Sequence, residues 1–205
     1  MNDNYDQTIE EILNNNNGVI TREEIINVKI PSVAFTRYLK KNESIIKIAP
    51  GVYAKNNFTI DDLFLLQKRY PRIVYSGLTS LYLNKLYERI PDFIEFTIPK
   101  SYRVRKKSIS NSIIVHIENN FAFYDFGNVK IETIFGNLVT CYCKEKAIVE
   151  MIRKRNEYDA ETFIKALKLY LNTKDKNMHL LFQFAKMRKI EKKVYEIMEI
   201  ISNEY

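Results

Sequence analysis

Between Gly18 and Tyr53 the apolar positions come in short bursts that predict two brief helices and a hairpin. Thr21 followed three residues later by Glu24 is a capping box, in which each side chain satisfies a free backbone N–H at a helix start. Ile20 and Ile25 stand at the two positions of a hydrophobic staple. The first helix therefore runs from Thr21 to near Asn27, with Val28-Lys29-Ile30 as the turn. Pro31 suits the first turn of the next helix, where its missing N–H costs nothing. That helix, Ser32 to about Asn42, carries Phe35, Tyr38 and Leu39 inward. Ile45 to Ile48 is β-branched and strand-like, Ala49-Pro50-Gly51 places Pro and Gly as a type II turn requires, and Val52 to Ala54 returns as a second strand. The polar run Asn14 to Asn17 reads as a loop. The pattern is that of a winged helix-turn-helix, whose second helix normally enters the DNA major groove.

From Phe58 onward the pattern predicts a second domain. Thr59 caps a helix through about Gln67, Arg72 to Tyr75 is a short strand, and Ser76-Gly77 opens a helix with Leu78, Leu81, Tyr82 and Leu86 inward. Phe93 to Ile98 alternates, with Ile94, Phe96 and Ile98 on one face and Glu95 and Thr97 on the other, as in a half-buried strand. Further strands are expected over Ser112–Ile117, Val129–Ile134 and Leu138–Tyr142. The last third reads as helices near Lys144–Arg155, Asp159–Leu171, Asn177–Met187 and Glu191–Ser202. Strands first and helices last predict an α+β domain with a mostly antiparallel sheet and a helical tail. The expected division is a winged helix-turn-helix over 1–57 and an α+β domain over 58–205.

Charge sharpens the first domain. The 205-residue chain is 46% hydrophobic, enough for a folded core, and carries a net charge of +7. Residues 1–28 are acidic, with Asp3, Asp6, Glu10, Glu11, Glu23 and Glu24 against Arg22 alone, whereas six basic residues face only Glu43 between Lys29 and Lys55. The excess begins at the turn before the second helix, which favours a polyanionic partner. Thr36 and Arg37 are the candidates for base contact, with Ser32 beside them, and Lys40, Lys41 and Lys47 for phosphates. A second basic stretch, Pro99 to Ser108, holds Lys100, Arg103, Arg105, Lys106 and Lys107 without an acid and could grip a phosphate backbone or form an ordinary solvated loop. Arg153-Lys154-Arg155 ends a helix, where cations complement the helix dipole and need no ligand. A module binding protein rather than DNA is the other use of such a hairpin.

Chemistry beyond binding is sparse. Pro91-Asp92 lacks a following Glu-x-Lys, Ser76-Gly77 lacks an Asp-x-Asp, and Asp125 with Glu132 is too few acids for a two-metal site. Five glycines form no phosphate-cradling loop and no Gly-x-Ser-x-Gly elbow. Cys141 and Cys143, two apart on a strand, share a face and are badly placed to bond each other; zinc would need two more ligands. The reading is a chain without catalytic residues, metal or cofactor. No apolar run reaches the length of a membrane span, and the Met-Asn-Asp-Asn-Tyr-Asp start has no basic-then-apolar leader, so a cytoplasmic location away from membranes is expected.

The order of segments resembles the AbiEi family, the antitoxins of type IV abortive-infection toxin–antitoxin systems. Gly51-Val52-Tyr53 resembles the Gly-Val-Tyr closing that family's winged domain. Tyr75-Ser76-Gly77-Leu78-Thr79-Ser80-Leu81-Tyr82-Leu83-Asn84-Lys85-Leu86 is similar to its next strand-to-helix segment, and Ile94-Glu95-Phe96-Thr97-Ile98-Pro99 to the strand after it. Cys143 to Arg153 looks like its Glu-Arg-Thr-Leu-x-Asp helix. The chain departs at Lys146 and Ala147, where Arg and Thr are common, and at Ala49-Pro50, where a basic wing tip is usual. The resemblance implies an antitoxin that represses its own operon through the winged helix, with operator DNA as partner. It also implies that residues 58–205 oppose a nucleotidyltransferase-like toxin without a stable complex. The alternative is a winged-helix transcriptional regulator with a ligand-sensing or dimerising second domain.

Overall fold

Residues 3–57, 61–104 and 112–203 are described by the computed structural model. They fall into two units, Met1–Pro71 with Thr133–Leu138, and Arg72–Glu132 with Val139–Tyr205. The chain is α+β throughout.

The first unit runs α1 (Asp3–Asn15), β1 (Val19–Thr21), α2 (Arg22–Asn27), α3 (Ser32–Lys41), β2 (Ile45–Ala49), β3 (Val52–Lys55) and α4 (Asp62–Arg69). The Thr21 hydroxyl accepts from the Glu24 N–H, and the Glu24 carboxylate accepts from the Thr21 N–H at 2.8 Å, so the capping box opens α2 as the spacing predicts. β1, β3 and β2 form an antiparallel sheet in that order, with Gly51 at φ +79 in the turn between β2 and β3. Phe35 and Tyr38 of α3 pack with Ile20, Ile25 and Tyr53.

α1 is absent from the sequence-based expectation. Its stripe is Ile9, Ile12 and Leu13, of which Ile9 and Leu13 are fully buried in the same core. Burying two such side chains yields roughly 1.5–3 kcal/mol each. That outweighs the weak helix propensity of the neighbouring asparagines, under about 0.7 kcal/mol apiece. The run Asn14 to Asn17 is therefore split: α1 ends at Asn15, and only Asn16 to Gly18 turns, with Asn17 at φ 50.

Thr59, the expected cap of α4, lies outside the described residues. Asp61 is the observed cap, accepting from the Phe64 N–H at 3.1 Å. Asp61 is 1% exposed, and its carboxylate also accepts from the Thr133 hydroxyl and, at 2.8 Å, the Asn137 amide. A buried carboxylate requires such donors. They draw residues 133–138 into the first unit, and the expected boundary between 57 and 58 falls before α4, within that unit.

The second unit contains β4 (Val74–Tyr75), α5 (Gly77–Leu83), β5 (Ile94–Pro99), β6 (Ile113–Glu118), α6 (Phe121–Asp125), β7 (Asn128–Glu132), β8 (Leu138–Tyr142), α7 (Lys144–Arg153), α8 (Ala160–Asn172), α9 (Met178–Arg188) and α10 (Glu191–Asn203). The strand order is β6-β5-β4-β8-β7. β4 and β5 are antiparallel, but β5 pairs with β6 and β4 with β8 in parallel. The sheet is therefore mixed rather than mostly antiparallel. Alternation reports which face a residue occupies and carries no information on the direction of the neighbouring strand.

β5 is also more enclosed than its alternation suggests. Glu95 and Thr97 are buried along with Phe96 and Ile98, as strands with a parallel neighbour and covered faces tend to be. The four helices α7 to α10 form the expected helical tail, and α7 is buried from Glu145 through Ile152. Among the described residues no helix is long and apolar enough to cross a membrane.

Candidate nucleic-acid interface and a polar cleft

Ser32, Thr36, Arg37 and Lys40 come together with Val33 around one shallow depression on the outer face of α3. All five are exposed, while Phe35 and Tyr38 hold the opposite face in the core. The Thr36 hydroxyl donates to the Ser32 carbonyl at 2.8 Å, one turn back along the helix. Among the described residues Arg37, Lys40 and Lys47 make no ion pair, so their charges face solvent. Lys41 differs. It pairs with Asp6 at 3.5 Å, an exposed contact worth little on its own. Lys40 and Lys41 also occupy the last turn of α3, where a cation complements the helix dipole. Lys47 stands on β2 opposite Tyr53 of β3.

The second basic stretch belongs to the other unit. Lys100 and Arg103 are exposed, and the Lys100 N–H donates to the Glu118 carbonyl at 3.0 Å. Arg105, Lys106 and Lys107 lie outside the described residues.

Val33 escaped the sequence reading. It is 72% exposed, an apolar side chain on the first turn of α3 amid hydroxyls and cations. The signal was present: Val33 falls off the inward stripe set by Phe35, Tyr38 and Leu39.

The second unit contains a cleft that no motif announced. Its walls include Ser76, Gly77, Thr97, His116, Glu118, Tyr142, Glu150, Arg153, Lys154 and Tyr158. Glu95, 8% exposed, organises one side. Its Oε1 accepts from the Leu78 N–H at 3.0 Å, and its Oε2 lies 3.0 Å from His116 Nε2. Lys154 Nζ stands 3.2 Å from His116 Nδ1 and 2.9 Å from Glu157. An ammonium can only donate, so Nδ1 is the acceptor and the proton sits on Nε2, facing Glu95.

On the other side Arg188 joins Glu118 and Glu150, and Arg153 binds Glu150 through two nitrogens. Burial pushes the Glu118 carboxyl up, yet Arg188 and the Asn120 N–H more than offset it and hold the group below its ordinary range. Beneath this lies Lys146, 0% exposed, whose amine donates to the carbonyls of Tyr124 and Phe126 and to Asn128 Oδ1. It also stands 4.0 Å from the centre of the Tyr142 ring.

Cys141 and Cys143 are free and buried. Burial pushes their thiols up to about 12 and about 11, so neither is a ready nucleophile or ligand at neutral pH. Among the described residues no group of three or more His, Cys, Asp or Glu side chains could hold a metal ion.

The fold thus defines an α+β protein of two units with a cationic helix face in one and a polar cleft in the other. No family model matches the chain, and no curated protein matches it. It is similar in fold to the crystal structure of the RV2827C protein from Mycobacterium tuberculosis, with 13% sequence identity and a TM-score of 0.54 over 89% of this chain and 71% of that one.

Proposed function

We propose that this chain is a DNA-binding repressor whose first unit is a winged helix-turn-helix. The observation that carries it is the outer face of α3, where Ser32, Thr36, Arg37 and Lys40 surround one depression and the two cations make no ion pair among the described residues. The element order α1-β1-α2-α3-β2-β3, with a β1-β3-β2 sheet, supports the reading, because it leaves α3 solvent-facing and ahead of a hairpin. Arg37 reads a base edge, and Lys40, Lys41 and Lys47 contact phosphates.

The family resemblance of the sequence extends the proposal. The chain is an antitoxin that represses its own operon in the cytoplasm and opposes a nucleotidyltransferase-like toxin without a stable complex. It needs no cofactor and performs no catalysis of its own. The polar cleft favours one alternative, a regulator whose second domain senses a small ligand.

A gel shift with DNA from upstream of the operon tests the core claim. Arg37→Ala should cost about 1–3 kcal/mol and relax specificity, and Lys40→Ala should lower the salt slope by about one. Variants that bind as tightly as the parent would overturn the assignment. Toxicity in cells separates the extension from the alternative: a regulator without antitoxin activity leaves growth arrest by the neighbouring gene's product untouched.

A further inference from the structure

The depression on α3 is walled mostly by carbon, although four of its five residues are polar or charged. Two side chains explain this. Val33 is 72% exposed, so packing against this chain does not account for it. Thr36, three residues on and therefore on the same face, has its hydroxyl proton committed to the Ser32 carbonyl at 2.8 Å. What Thr36 offers outward is a methyl group and acceptor lone pairs, with no free donor. Arg37, one turn beyond Val33, and Lys40 bound the seat with positive charge.

We infer that Val33 and Thr36 form an apolar seat for the 5-methyl group of thymine, and so determine which sequences the α3 face accepts. The inference rests on the DNA-binding reading and goes further by naming a base. Among the groups displayed in the major groove the thymine methyl is the apolar one, and aliphatic side chains recognise it by contact. An exposed valine in a protein-binding site would be expected within a wider apolar patch. Here its neighbours in the depression are two hydroxyl residues and two cations, which suits a polyanion with one methyl protruding. Val33 and Arg37 are separated by about 6 Å along the helix. With about 3.4 Å between successive bases, the thymine lies within about two base pairs of the base read by Arg37.

The test begins by selecting the preferred duplex for the full-length protein from random DNA. Each thymine of that duplex is then replaced singly by deoxyuridine, which removes only the methyl. At least one replacement should weaken binding by about fourfold, the worth of one buried methyl. Val33→Ala and Thr36→Ser should each reduce that ratio toward one. Both positions are exposed, so both variants are expected to fold, and circular dichroism checks it. If every uridine duplex binds as well as its thymine parent, or if Val33→Ala keeps the full ratio, the seat is disproved while DNA binding stands. If selection yields no sequence preferred over random DNA, the seat and the DNA-binding reading fall together.

Discussion

A Cβ built on Gly77 would lie 2.1 Å from Oε2 of Glu95, and Gly77 sits at φ +54. The absent side chain leaves room for the buried carboxylate to reach the Leu78 N–H, and the carboxylate in turn faces His116 across the cleft. Gly77→Ala should destabilise the fold by at least the roughly 1–2 kcal/mol that a left-handed conformation costs a non-glycine residue, plus the displacement of Glu95. Denaturant unfolding measures it. In a Glu95→Ala background the same substitution should cost less, because only the backbone term remains; an unchanged cost would show that the carboxylate contact is irrelevant.

Lys146 gives a pH-dependent prediction. Burial pulls its amine from the ordinary 10.5 down to about 7. Between those values the unfolded chain holds a proton that the folded chain has released, so raising the pH favours the fold. Stability from urea unfolding should rise between pH 7 and pH 9, and Lys146→Met should flatten that slope. The variant should also lose about 1–3 kcal/mol at pH 7, since the Tyr124 and Phe126 carbonyls lose the donor that Nζ supplies. A Lys146→Met variant with the parent's stability and slope would refute this account.

The stretch from Lys100 to Lys107 should add a sequence-independent hold on DNA. Replacing Arg103, Arg105, Lys106 and Lys107 together by Ala should weaken binding to all sequences alike, chiefly at low salt, because released counterions supply the energy. Unchanged affinity and salt slope in a filter-binding titration would make the stretch an ordinary solvated loop.

Repression and neutralisation should separate by point substitution. The full-length Arg37→Ala, Lys40→Ala double variant should let cells carrying the cognate toxin grow, while a reporter fused to the operon promoter is derepressed. Intact chain is the better tool, because a cut between 57 and 58 would remove Asp61 from the first unit. Loss of rescue by the folded double variant would tie neutralisation to the DNA-binding face and reject the division.

Local signals in the sequence were enough to place most elements. The Thr21–Glu24 capping box, Pro31 ahead of α3 and Gly51 in the β2–β3 turn act within a few residues of themselves. The basic character of the α3 face was legible for the same reason, since helix periodicity separates Arg37 and Lys40 from Phe35 and Tyr38. What only the tertiary structure decided depends on partners distant in the chain. α1 is held by burial of Ile9 and Leu13 against a core built from later residues. The direction of β6 and β8 is set by pairing, which no single strand encodes. Asp61 finds its donors at Thr133 and Asn137, and the cleft assembles Glu95, His116, Glu150 and Arg188 from four separate elements. A charged residue reads as solvent-facing in a sequence; whether it is buried and paired is fixed by what the fold brings within hydrogen-bonding distance.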